Sequence, residues 1–147
     1  MSSAFSYRIN GYSNSLQSCL RAMEDSSVYQ EMPSSLQFVA ELILDELASN
    51  TLKYGGPGEH EILFELSYDG GEMRVVLSDD AEPFNPWTDA PRVDDSATED
   101  LDHIGIGGRG IHMLLQATDS RHYERRDGRN IHIMTRRARR TQDNIAA

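Results

Sequence analysis

Asp45-Glu46-Leu47-Ala48-Ser49-Asn50-Thr51-Leu52-Lys53-Tyr54-Gly55-Gly56 is the stretch on which the reading of the fold turns. It closes a long amphipathic run. Pro33 suits a first helical position, and Leu36, Val39, Ala40, Ile43, Leu44 and Leu47 recur behind it at helical spacing. Gly55-Gly56-Pro57-Gly58 stops the run, so the pattern predicts one helix from about Pro33 to Tyr54. Glu46, Asn50 and Lys53 lie at i, i+4 and i+7. A carboxylate, a carboxamide and the only lysine of the chain therefore share one polar face of that helix. A polar helix face is ordinarily just solvated, and taken alone it carries no function.

On the N-terminal side, Leu16, Cys19, Leu20 and Met23 form one helical stripe, which predicts a helix from Ser13 to Ser27 capped by Ser13 or Ser15. Tyr7–Tyr12 reads as an edge strand. On the C-terminal side, Ile62, Phe64 and Leu66 alternate within Glu61–Tyr68, and Met73, Val75 and Leu77 within Glu72–Ser78. Asp69-Gly70-Gly71 between them has the chemistry of a tight hairpin. Pro83 to His103 carries three prolines, six acids and no apolar period; a loop of that length inside one domain is usually functional or disordered. A glycine-rich run, Gly105 to Gly110, then opens an apolar helix, Ile111 to Ala117. Arg121–Arg126 and Asn130–Thr135 read as strands joined at Asp127-Gly128, and 136–147 reads as a flexible tail. This order predicts a single domain over 1–147. Its architecture is a two-layer α/β sandwich with a mixed, mostly antiparallel sheet and helices on one face.

Composition narrows the function. A chain of 147 residues buries a core without staples, and one cysteine forms no internal disulfide. No apolar window is long enough to span a membrane, and the first 21 residues lack a basic-then-apolar signal pattern, which predicts a cytoplasmic protein. With 14 basic against 24 acidic side chains the net charge is −10, which argues against direct nucleic-acid binding. The charge is uneven. Between 121 and 140, eight arginines face two acids, either as solvated strand ends or as a surface for a partner. The five histidines and Cys19 have no zinc-ligand spacing.

Three pieces carry chemistry. On the Pro33–Tyr54 helix, the amide oxygen of Asn50 suits Mg²⁺, a hard cation that keeps waters and takes phosphate oxygens, and Glu46 can accept a proton from an attacking hydroxyl. In Val76-Leu77-Ser78-Asp79-Asp80-Ala81-Glu82-Pro83-Phe84-Asn85-Pro86 a strand ends in carboxylates and turns sharply; a carboxylate there can accept from an exocyclic amine such as that of adenine. In Gly105-Ile106-Gly107-Gly108-Arg109-Gly110, glycines admit close backbone approach to an anion at a helix start. The spacing is not that of a Walker A loop. Trp87, beside the long loop, reads as a hydrophobic anchor for it.

In this order and spacing the three pieces resemble the N, G1 and G2 boxes of the GHKL ATPase superfamily, whose ATP-binding fold is the Bergerat sandwich. The chain is most similar to the small serine kinases that act as anti-sigma factors in bacterial partner switching. Besides the strings above, Gly107-Gly108-Arg109-Gly110-Ile111-His112 and Asp127-Gly128-Arg129-Asn130 carry the likeness, which spans about Pro33 to Thr135. The resemblance implies an ATP- and Mg²⁺-dependent serine/threonine kinase. Glu46 would be the general base, Asn50 the Mg²⁺ ligand and Asp79 the partner of the adenine amine. Lys53, Gly105, Gly107, Gly108, Arg109 and Gly110 would bind the nucleotide, with the segment from Asn85 to His103 as ATP lid. As partners it implies an anti-anti-sigma (STAS-type) protein, a sigma factor or other regulator, and a second copy of the chain. Two positions depart from the pattern. Ala81 replaces a glycine, which at positive φ would cost about 1 kcal/mol or more. Asn85 replaces an aspartate. A second reading stays open: a nucleotide-binding module without kinase activity that sequesters a regulatory partner. A histidine-kinase catalytic domain has less behind it, since no helix pair carries a phosphoacceptor histidine.

Overall fold

Two tight turns set the register of the sheet. In the computed structural model, which describes residues 3–10, 13–54, 60–89 and 106–139, Gly70 and Gly71 take φ of +59° and +78°. They close β2 (Ile62–Asp69) onto β3 (Glu72–Asp79), with Asp69 opposite Glu72. Asp127 and Gly128, at +52° and +77°, likewise join β4 (Ser120–Arg126) to β5 (Arg129–Arg137). Two successive residues at positive φ give the turn twist that matches right-handed strands.

The strand order is β1-β2-β3-β5-β4, with β1 spanning Ser3–Ile9. Every pairing is antiparallel, so the expected mixed sheet is a purely antiparallel one. The second hairpin docks with its later strand, β5, against β3, and no parallel pair forms. β1 lies earlier than Tyr7–Tyr12: Phe5, Tyr7 and Ile9 face the core, while Ser6 and Arg8 alternate outward. β5 runs on to Arg137, two residues past the expected end, and Arg136 is buried on its inner face.

The helices are α1 (Ser13–Asp25), α2 (Ser27–Glu31), α3 (Ser34–Tyr54), α4 (Pro86–Asp89) and α5 (Ile106–Ala117). Ser26 separates α1 from α2. Its hydroxyl donates to the Met23 carbonyl at 2.6 Å and accepts from the Tyr29 amide at 3.3 Å, an N-cap that the sequence reading ran through. The Pro33 carbonyl accepts from Leu36 and Gln37, both at 3.0 Å, so Pro33 precedes α3 and does not occupy its first turn.

Leu36, Val39, Ala40, Ile43, Leu44 and Leu47 of α3 pack over Phe64, Leu66, Val75 and Leu77, with Met23 and Leu114 closing the flanks. Each of these side chains except Ala40 contributes about 1.5–3 kcal/mol on burial. Cys19 belongs to this core, and burial pushes its thiol up to about 12, which leaves it inert. Toward the end of β3 the buried face turns polar. His132 stands opposite Leu77, and Asn130 stands opposite Asp79. Among the described residues no helix is long and apolar enough to cross a membrane.

Candidate functional site

Asp79, the last residue of β3, is 1% exposed. A carboxylate survives such burial only when donors surround it. Thr51 of α3 presents its hydroxyl to Oδ2 at 2.9 Å, the Ala81 amide donates to Oδ1 at 3.1 Å, and Asn130 Nδ2 donates to Oδ1 at 2.8 Å. Asn130 also donates to the Glu82 carbonyl at 2.9 Å, while its Oδ1 accepts from the Tyr123 hydroxyl and from the Phe84 amide at 3.3 Å. Arg125 completes the clamp with a 2.6 Å hydrogen bond to the Ala81 carbonyl. The turn after Asp79 is thus held from three elements at once, and Asp79 keeps acceptor capacity beyond these three bonds.

Both departures from the family pattern are accommodated. Asp127 is the one non-glycine residue at positive φ among the described residues, so Ala81, only 2% exposed, carries no left-handed strain. Asn85 caps α4: its Oδ1 accepts from the Trp87 amide at 3.0 Å, and its own amide donates to Asp89 Oδ2 at 2.7 Å. Trp87 packs against the core below this cap, with the Arg121 guanidinium 5.9 Å from its ring centroid.

A narrow cleft of about 10 Å³, room for about one water, lies beside Asp79, lined by Leu47, Asn50, Thr51, Phe84, Asn130 and His132 among others. Asn50 is 2% exposed, and neither its amide oxygen nor its amide nitrogen has a hydrogen-bond partner among the described residues. An unsatisfied buried polar group costs about 1–3 kcal/mol, so a side chain left in this state next to a cleft points to a ligand. His132 approaches Asp79 Oδ2 to 4.0 Å with Nε2 and stacks obliquely on Tyr123. Burial lowers its pKa from 6.5 to about 4, against the opposing pull of Asp79, so at neutral pH it is a neutral ring and not an ion-pair partner.

The depressed pKa of His132 makes a stability prediction. The unfolded chain binds this proton below about pH 6.5 and the folded chain only near pH 4, so stability is complete above 6.5 and falls as the pH drops. By pH 5 the loss is about 2 kcal/mol. Urea unfolding of wild type and His132→Phe at pH 7.5 and pH 5 isolates it: the variant is expected to lack this part of the acid sensitivity. An equal loss in both proteins would remove His132 as its source.

Glu46 lies one helical turn before Asn50 and is 8% exposed. Burial raises its pKa, Asp45 adds to the rise, and Lys53 opposes it. A Cβ built on Gly110 of α5 would overlap the Glu46 carboxyl group, so that group rests directly against the α5 backbone. The structure brings Glu46, Asn50, Asp79 and Gly110 to the same end of the sandwich. Lys53 is exposed and does not line the cleft, and its action here is the charge it sets near Glu46. Gly107 and Gly108 fall within the first turn of α5, not in a loop before it, and Arg109 follows them in the same helix. Gly105 and most of the acidic segment, 90–105, lie outside the described residues, as does the tail 140–147. Thr51, Asn130, Tyr123 and Arg125 had no assigned role in the sequence reading. Two signals were available for Asn130: the string Asp127-Gly128-Arg129-Asn130, and the β5 alternation that puts Asn130 and His132 on the buried face.

These residues fit an adenine nucleotide with Mg²⁺. Asp79 offers spare acceptor capacity beside Leu47 and Phe84, the chemistry that an aromatic base bearing an exocyclic amine needs, and the cleft, at about 10 Å³, has to widen to admit one. Asn50 offers an unengaged amide oxygen, and Mg²⁺ needs few protein ligands when phosphate and water supply the rest. Residues 16–136 match the family model described as a histidine kinase-like ATPase domain. No match was found among curated proteins.

Proposed function

The chain belongs to the histidine kinase-like ATPase domain family, and on that premise we propose that it is an ATP- and Mg²⁺-dependent serine/threonine protein kinase that binds and phosphorylates an antagonist of the anti-anti-sigma (STAS) type. Control of a sigma factor or similar regulator, and a homodimeric state, belong to the same reading. The observation that carries it is the buried amide of Asn50, without a hydrogen-bond partner among the described residues, one turn from a buried carboxylate and in one cleft with Asp79. Mg-ATP, when bound, supplies the phosphoryl group and the counter-charge for its transfer.

The chain's own groups do the rest. Asp79, fixed by Thr51, Ala81 and Asn130, accepts from the adenine amine without having to reorganise. Asn50 would hold the cation through its amide oxygen. Glu46 takes the proton of the attacking serine or threonine hydroxyl; burial, which raises its pKa, makes the carboxylate a stronger base. The non-catalytic alternative drew its support from strain at Ala81, and that strain is absent.

Calorimetric titration with ATP tests the reading. With Mg²⁺ the wild type is expected to bind at least about tenfold more tightly than without it, and Asn50→Ala is expected to lose that difference, about 1.4 kcal/mol or more. Asn50→Ala that binds Mg-ATP as wild type does would overturn the assignment of the amide. Tight, ATP-sensitive capture of a STAS-type antagonist with no phosphoserine or phosphothreonine formed would favour the non-catalytic module.

A further inference from the structure

Gly110 sits in the body of α5, where glycine costs about 1 kcal/mol relative to alanine. Its φ is not positive, so the backbone does not demand glycine. Space does. The three atoms nearest to a Cβ built at this position are Cδ, Oε1 and Oε2 of Glu46, and all of them would overlap it. The glycine is therefore matched to one carboxyl group on α3, the helix against which α5 packs.

We infer that Gly110 is a positioning residue for Glu46: its missing side chain is the seat in which the carboxyl group rests, and α5 thereby fixes where that carboxylate stands relative to the cleft. The inference rests on the reading of Glu46 as the base, and it gives Gly110 a task other than wrapping the nucleotide's phosphates. Glu46 is a long side chain with three rotatable bonds. Without a wall it would sample positions out of reach of an incoming hydroxyl, and small misplacements of a reacting group are costly in rate. Seated against the α5 backbone it is 8% exposed, and the resulting loss of solvation raises its pKa. The contact thus fixes the position of the carboxylate and adds to the burial that, with Asp45, raises its pKa.

Gly110→Ala tests this. Glu46 is titrated in the nucleotide-free protein by carboxyl-carbon NMR, with ATP affinity and phosphoryl transfer measured alongside. Displaced toward water, Glu46 is expected to titrate nearer the ordinary carboxylate value. Transfer is expected to fall at least about tenfold in kcat, while ATP affinity stays within about threefold. In a Glu46→Gln background the same change is expected to alter residual turnover by less than about threefold, because the two residues act as a unit. An unmoved Glu46 titration in folded Gly110→Ala would overturn the inference, as would a large loss of ATP affinity with no change at Glu46. A moved titration in a protein whose wild type transfers no phosphate upholds the contact and overturns the base assignment instead. Should Gly110→Ala fail to fold, Glu46→Asp, which withdraws the carboxyl by one methylene, is expected to restore folding to the pair; misfolding of the double variant would overturn the contact.

Discussion

Asp79→Asn is expected to weaken ATP binding at least about a hundredfold, near 2.7 kcal/mol, while leaving the protein folded. The two effects separate because of how the carboxylate is held. The Ala81 amide and Asn130 Nδ2 converge on Oδ1, and an asparagine can leave its carbonyl oxygen there. Its NH₂ then takes the place of Oδ2, facing Thr51, whose hydroxyl can accept that hydrogen bond while donating to the Leu47 carbonyl 3.2 Å away. The network survives with charge-assisted bonds exchanged for neutral ones, at a cost of about 1 kcal/mol. The adenine amine has no such escape, since it meets an amide donor where it needs an acceptor. A base with a carbonyl in place of the amine suits the variant better, so the preference for ATP over GTP is expected to collapse. Calorimetry with both nucleotides, together with urea unfolding, reads all three quantities. Unchanged ATP affinity in the folded variant would remove Asp79 from base recognition.

What the chain's sequence disclosed is local chemistry. The Gly70-Gly71 and Asp127-Gly128 turns were readable because a two-residue link at positive φ admits few residue types. The apolar stripe of α3 and the alternation of β2 and β3 were readable because each has one strong period. The break between α1 and α2 was not, because Ser26 lies inside a run that keeps helical spacing on both sides. The start of α5 was missed for the opposite reason. Three glycines argue against a helix, yet packing against α3 holds them in one, and Gly110 is where that packing is closest. The site divides in the same way. Glu46, Asn50 and Asp79 stand in recognisable strings. The supporting role of Thr51 and Asn130, which stand in such strings too, was not readable, because they reach Asp79 across 28 and 51 residues and only the folded chain brings them together. The expected strain at Ala81 failed on conformation: the position takes no positive φ, so no glycine is required.

Glu46→Gln separates chemistry from binding most sharply. Glutamine matches glutamate in shape, so it keeps the seat against Gly110 and the packing of α3 on α5. It cannot take a proton. Phosphoryl transfer to a serine or threonine acceptor is expected to fall about 10²–10⁴-fold, the usual worth of a general base, with ATP affinity within about threefold of wild type. The pH dependence carries the sign. Wild-type transfer requires the ionised carboxylate, so the rate rises with pH through the Glu46 pKa, which burial and Asp45 have moved upward. That limb is expected to vanish in Glu46→Gln, whose residual rate should be flat across the same interval. Stability should move the other way: glutamine removes a carboxylate whose charge burial and Asp45 disfavour, so at neutral pH the variant is expected to be no less stable than wild type. A robust rate that keeps the acid limb in Glu46→Gln would place the base elsewhere. A lost rate with lost ATP binding would make Glu46 part of the nucleotide site. A lost rate with ATP retained and stability undiminished is the signature of a carboxylate kept buried, at some cost to the fold, for proton transfer.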